Sequence, residues 1–277
     1  MNYLKNPWIP FIFKNRFIKL PVAKGMTYNL FQLRRNWMTS LLENLTKLQG
    51  KDDFFFDIGA NLGQTLINFS TVSNGKYIGF EPDPFCIVYL RKLIELNKIT
   101  NALIAPVGLS NCNQLAKLYS SSPTDSGATL RENLRPSREL YSAFVPTFRL
   151  DDVVQKLGLR SVTLIKIDVE GWELEVLKGM SNIFQLNRPI IICEVIFRDE
   201  KALPEEHQQR NLEIFKILNS YNYNIFQLIK AFDWENIQQI KEIYQFSNET
   251  WTKDNQNLCD YLFVPEEKKE QVLSLYS

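Results

Sequence analysis

The 277 residues exceed one average domain and fall short of two, so the length favours one large α/β domain carrying an N-terminal appendage. With 45% hydrophobic and 13% aromatic residues the chain buries a large core, which excludes a disordered, collagen-like or disulfide-stapled architecture. Lysine and arginine number 32 against 31 acids; a net charge of +1 lacks the basic excess that neutralising many phosphates requires, so no nucleic-acid partner is expected.

The first feature in chain order is the apolar run Trp8 to Phe13, WIPFIF, flanked by Lys5, Lys14, Arg16 and Lys19. An arm packed on its own domain is the favoured reading, and peripheral contact with a membrane surface or a partner is the other. No run reaches the roughly 18 to 20 apolar residues of a membrane span, and no secretory signal pattern is seen. The expectation is therefore a soluble, cytoplasmic protein without a transmembrane segment. Between Tyr28 and Gly50, Leu30, Leu33, Trp37, Leu41, Leu45 and Leu48 recur at steps of three and four, which places them on one face of a helix. Residues 1–50 are read as an arm and helical cap, and 51–277 as the main domain.

From Asp53 onward short apolar runs alternate with amphipathic segments, the pattern of a parallel sheet covered by helices on both faces. Strands are predicted at 54–58, 77–80, 102–107, 162–169, 189–197, 223–229 and 261–264. Phe85, Val88, Tyr89, Leu93 and Leu96 mark a helix between the second and third, and another is predicted around 211–218. Residues 120–142, rich in Ser, Pro and Arg, break the alternation and predict a long substrate-side loop. Its Arg131, Arg135 and Arg138 either cover an acceptor or are simply solvated. Cys86, Cys112, Cys193 and Cys259 form no CxxC pair and no finger with the single histidine, so free thiols are expected.

After the first strand comes Asp57-Ile58-Gly59-Ala60-Asn61-Leu62-Gly63, a glycine-bearing turn into a helix. In an open parallel sheet this edge borders the crevice where cofactors bind. The second strand ends in Glu81, and one carboxylate there can accept from both hydroxyls of a ribose. That acid suits NAD and S-adenosylmethionine alike. The loop separates them: G-x-x-x-G preceded by an acid is not the G-x-G-x-x-G of a dinucleotide site, and Asp57 can instead face a cationic cofactor end.

DIGANLGQT, GFEPDP, FRLDDV and above all LIKIDVEGWELEVLKG resemble the FkbM family of S-adenosylmethionine-dependent methyltransferases, over roughly residues 51–197 and in the family's order. The resemblance implies a class I methyltransferase (Rossmann-like) α/β fold: seven strands, mostly parallel with the last antiparallel, helices on both faces, and here an N-terminal helical cap. It implies S-adenosylmethionine as cofactor, methyl transfer commonly to a hydroxyl oxygen, and a cofactor pocket at Asp57, Gly59, Asn61, Gly63 and Glu81.

A second constellation lies on the strand Leu164-Ile165-Lys166-Ile167-Asp168-Val169-Glu170, where alternation points Lys166, Asp168 and Glu170 the same way. Buried charges must pair, reach water or face a ligand. In the structural alternative Lys166 merely neutralises Asp168 and Glu170 ends the strand. In the catalytic one Asp168 is the base or orienting group for the acceptor hydroxyl, with Glu170 and Glu194 as alternatives. Three carboxylates also form an oxygen set for Mg²⁺, but the spacing carries no metal signature and no metal is assigned. His207, in a polar run, is expected to be solvent-exposed and without a catalytic role. Trp172 and Phe197 either stack on a sugar or pack in the core.

The combined expectation is an O-methyltransferase acting on a small-molecule or glycan hydroxyl. An NAD-linked oxidoreductase and a noncatalytic nucleotide-binding module are the alternatives.

Overall fold

A computed structural model describes residues 7–22, 37–122, 125–132, 134 and 141–276. The chain opens on a hairpin of β1 (Trp8–Phe13) and β2 (Arg16–Pro21), turned by Lys14 and Asn15, both at positive φ. Alternation sends Phe11, Phe13, Ile18 and Leu20 into an apolar cluster shared with Leu41, Leu42 and Leu93, so the N-terminal run is a packed strand. The helical period of the cap is realised in α1 (Trp37–Leu45), with Trp37, Leu41 and Leu45 buried; Leu30 and Leu33 lie outside the described residues.

The main body runs β3 (Phe54–Ile58), α2 (Gln64–Val72), β4 (Lys76–Phe80), α3 (Pro84–Asn97), β5 (Ala102–Ala105), β6 (Gly108–Leu109), β7 (Gln114–Ser120) and β8 (Tyr141–Phe148). It continues through α4 (Leu150–Leu157), β9 (Val162–Ile167), α5 (Glu173–Lys178), β10 (Ile190–Glu194), α6 (Pro204–Ser220), β11 (Tyr223–Lys230), β12 (Ile237–Ile243), β13 (Asp260–Pro265) and α7 (Lys269–Leu273).

The large sheet has the order β12-β11-β13-β10-β9-β3-β4-β5. β5, β4, β3, β9 and β10 pair in parallel, and β13 runs antiparallel between β10 and β11. Successive side chains feed opposite faces. Phe55, Tyr77 and Leu164 join one apolar cluster, and Phe56, Ile78 and Ile165 the other. These are the seven strands of the class I methyltransferase topology. The chain winds outward from β3 to β5 and then crosses to β9, so β3 and β9 flank a switch point with their carboxyl ends on one edge.

Two features depart from expectation. The sheet has an eighth strand, because β12 extends β11 as an antiparallel edge. Its sequence, IQQIKEI, is half polar because an edge strand needs to bury little, which leaves a weak apolar pattern. The predicted loop is also shorter at its end: Tyr141 and Ser142 begin β8, which pairs with β7 and β6 in a separate three-stranded sheet. Exposed Leu115, Tyr141 and Phe144 give that sheet no one-sided alternation to read.

Candidate active site

The turn after β3 is shaped by two glycines. Gly59 has φ +85°, and a Cβ there would lie 1.9 Å from the Asp168 carbonyl oxygen, so the β3 and β9 ends touch through bare backbone. The Asp168 N–H donates to the Ile58 carbonyl at 3.0 Å, and the Gly59 and Ala60 N–H groups both donate to Phe80. Gly63, φ +90°, starts α2 packed on Leu90 and Leu93. Between them the Asn61 backbone N–H donates to Glu81 Oε2 at 2.7 Å, while the Asp83 N–H donates to Oε1 at 2.8 Å. Burial pushes the Glu81 carboxyl up to about 7, those two hydrogen bonds opposing the rise.

This edge opens into a cavity of about 350 Å³. Gly59, Asn61 and Glu81 line one part of it; Asp168, Glu170 and Glu194 line another. Each of these last three carboxylates offers an oxygen within 4.8 Å of the other two. Lys166 is at their base, 2.9 Å from Asp168 Oδ2 and 3.7 Å from Asp57 Oδ1. Burial pushes the Asp168 carboxyl up, but the Lys166 ammonium, a hydrogen bond from Glu194 and the more distant Lys230 outweigh it and hold the group below the usual carboxylate range. Glu194 goes the other way: burial and then the Asp168 charge raise it well above that range, which favours its protonated form beside the Asp168 carboxylate. The Cys259 thiol also donates to Glu194, at 3.2 Å.

The cavity's surroundings come from distant parts of the chain. Trp37 and Met38 of α1 and Trp234 from the β11–β12 turn form one wall. The Lys230 ammonium, beneath it, lies 4.6 Å from the Trp37 ring, 4.2 Å from the Trp234 ring, and is ion-paired with Asp260. Asp125, Ser126, Ala128 and Leu130 of the long loop line another side, and Thr129 Oγ1 donates to the Glu170 carbonyl at 2.7 Å.

Residues 57–225 match the Methyltransferase FkbM domain. The chain belongs to the FkbM methyltransferase family. Among curated relatives of this FkbM protein, the hexuronic acid methyltransferase AglP of Haloferax volcanii is 29% identical over 144 residues, 51% of this chain and 56% of its own. Methyltransferase 1 of Beauveria bassiana is 25% identical over 148 residues, 47% of this chain and 59% of its own. The matched part thus spans little more than half of each of these relatives. Among solved structures, Methyltransferase FkbM from Methylobacillus flagellatus KT aligns with 86% of this chain and 58% of its own at a TM-score of 0.46 and 14% identity.

An FkbM methyltransferase uses S-adenosylmethionine, and family membership replaces the NAD alternative. The local chemistry fits that cofactor. Glu81 offers carboxylate oxygens at the end of β4 for ribose hydroxyls, and no second glycine follows Gly59 at the spacing that cradles a pyrophosphate.

Of the residues singled out from the FkbM sequence, Gly59, Asn61, Glu81, Asp168, Glu170 and Glu194 line one cavity, while Asp57 and Gly63 do not. Asp57 is fully buried beneath it, accepts from Tyr77 Oη at 2.5 Å, and is raised by burial to about 6. It faces Lys166, so any influence on the cofactor passes through other groups. β9 ends at Ile167, and Glu170 follows at φ +53°, so strand alternation does not set its direction. Arg131 pairs with Glu206 at 2.6 Å, and Arg135 and Arg138 lie outside the described residues. His207 is a correction: it is buried, 3.1 Å from Asn211 Nδ2, because α6 turns its position inward. Phe197 is buried; Trp172 lines the cavity and donates to Ser110 Oγ at 3.3 Å. Trp37, Trp234 and Asp260 were missed as site residues, because nothing local in the sequence joins positions so far apart. The four cysteines are free. No helix among the described residues is long and apolar enough to cross a membrane.

Proposed function

We propose that this methyltransferase transfers a methyl group to a hydroxyl oxygen of a sugar, glycan or other small natural product. The observation that carries the reading is the convergence of Asp168, Glu170 and Glu194 on the cavity that also presents Gly59, Asn61 and Glu81. A relative named for methylating a hexuronic acid supports the sugar class.

When bound, S-adenosylmethionine supplies a methyl group made electrophilic by its sulfonium. The chain would hold it through Glu81 and the Gly59–Asn61 turn that lines the cavity beside it. Asp168, an anion with a side chain 36% exposed, would accept a hydrogen bond from the acceptor's hydroxyl and take its proton. Lys166 fixes the Asp168 carboxylate from below, and neutral Glu194 donates to it, so its orientation is set before the acceptor arrives. Glu170 is the alternative base, Glu194 being the protonated partner of Asp168. Trp172 offers a ring face to a sugar. In this reading residues 1–50 are an arm and cap, 51–277 the methyltransferase domain, and the segment between β7 and β8 a substrate-side loop.

The test is incubation with S-adenosylmethionine and a panel of uronates, neutral pyranosides, phenols and amines, followed by mass spectrometry and fragmentation. A methyl group placed on a sugar oxygen supports the reading. Methylation confined to nitrogen or carbon overturns it.

A further inference from the structure

The charge of this chain is distributed unevenly. Residues 1–42 contain Lys5, Lys14, Arg16, Lys19, Lys24, Arg34 and Arg35 and no acid, so the remainder holds 25 of the 32 cations and all 31 acids. A neutral total therefore conceals a basic N-terminal segment on an acidic body.

The β1–β2 hairpin combines that charge with an apolar outer face. Its inner face is consumed by the core through Phe11, Phe13, Ile18 and Leu20. On the outer face Ile12 pairs with Phe17 across the strands, and they are 75% and 57% exposed; Trp8, further along, is 41% exposed and meets Phe17 edge to face at 5.9 Å. The face is rimmed by cations. Lys19 lies 5.1 Å from the Trp8 ring and Lys14 is 3.8 Å from Glu43, a partner that is itself largely solvated, whereas Arg16, opposite Phe13 on the inner face, is tied to the Ser70 carbonyl.

We propose that this hairpin docks the enzyme on an anionic lipid bilayer, Ile12, Phe17 and Trp8 entering the interfacial layer while Lys14 and Lys19 meet lipid headgroups. Charge complementarity selects an anionic surface, and each cation held near one multiplies binding about fivefold. The exposed aliphatic and aromatic side chains select a bilayer over a polyanion in water, because Ile12 and Phe17 gain nothing from a phosphate backbone and gain burial in the headgroup region. The proposal is independent of the acceptor's identity.

The experiment is co-sedimentation of the full chain with phosphatidylcholine vesicles and with vesicles in which about one lipid in three is phosphatidylglycerol. Binding to the anionic vesicles that falls at least about tenfold in the double variant Ile12→Ser/Phe17→Ser, and about tenfold or more in Lys14→Gln/Lys19→Gln, supports docking. Circular dichroism melting keeps the comparison to variants that remain folded. Equal sedimentation with neutral and anionic vesicles overturns the proposal. So does full binding by Ile12→Ser/Phe17→Ser, which reduces the surface to a plain polycation. Light scattering that reveals a dimer abolished by Ile12→Ser/Phe17→Ser also overturns it, by giving the face to a second copy of the chain.

Discussion

Cofactor affinity should depend on pH through Glu81. Its carboxyl is raised from an ordinary value near 4.5 to about 7, chiefly because it is buried behind the 59–61 turn. Ribose hydroxyls donate to the ionised form, so binding favours the carboxylate and releases the proton that the free protein still holds. With half-ionisation near pH 7, the ionised fraction falls about tenfold between pH 8 and pH 6, and affinity for S-adenosylhomocysteine falls by about the same factor. Glu81→Gln removes the charge, costing about 1 to 3 kcal/mol of binding at pH 8, and flattens the profile. The same shift bears on stability with the opposite sign. The folded protein holds this proton more tightly than the unfolded chain, so stability is present below pH 4.5 and is lost as pH rises toward 7, by about 3 kcal/mol in the absence of cofactor. Glutamine escapes that penalty. It offers a single acceptor, however, where the Asn61 and Asp83 N–H groups each need one, at a cost of about 1 to 3 kcal/mol. The terms nearly cancel, so the melting temperature should barely move while affinity drops. Titration calorimetry from pH 6 to 8, in buffers of different ionisation enthalpy, measures both affinity and proton release. A flat affinity profile for the wild type would refute the reasoning. A slope that survives in Glu81→Gln would reassign the titration to a group such as Asp57, raised to about 6.

Asp168→Asn should lower kcat by about 10² to 10⁴ while S-adenosylhomocysteine affinity, by calorimetry, stays within about threefold of wild type. Gly59→Ala forces a Cβ to within 1.9 Å of the Asp168 carbonyl at φ +85°, so it should cost at least about 2 kcal/mol, lower the melting temperature by about 5 °C, and abolish cofactor binding. Lys230→Met strands Asp260 without its counter-ion beside Glu194 and should shift urea denaturation by about 3 to 5 kcal/mol. Thorough chelation should leave turnover unchanged, because the Lys166 ammonium already supplies a positive charge to Asp168; recovery of activity only on adding Mg²⁺ would instead give the acid cluster to a cation.

The parallel strands were legible because each is short, continuously apolar and bounded by turn residues, and burial on both faces leaves no other solution for 54–58 or 162–167. The edge strand β12 and the β7–β8 sheet were not, since a strand that buries little need not look apolar. Within the site, the glycine-bearing turn and Glu81 were legible from local turn chemistry and the strand end, and the FkbM resemblance added Asn61; all three line the cavity.

Everything that required two distant segments to meet was decided by tertiary structure. From the sequence, Asp57 was expected to face the cofactor and Asp168 the acceptor; packing buried the first beneath the cavity beside Lys166 and opened the second to the cavity. The polar run around His207 suggested solvent until α6 turned it inward. Trp37 and Trp234 are almost 200 positions apart and meet over Lys230 only because α1 and the β11–β12 turn close on the same sheet edge. The sequence by itself determined the parallel core of the sheet through local periodicity, and its motifs pointed to methyl transfer through their resemblance to the FkbM family. Which carboxylate is charged, which is neutral and which of them a ligand can touch depend on desolvation and on charges brought close by the fold, and those quantities exist only once the chain has packed.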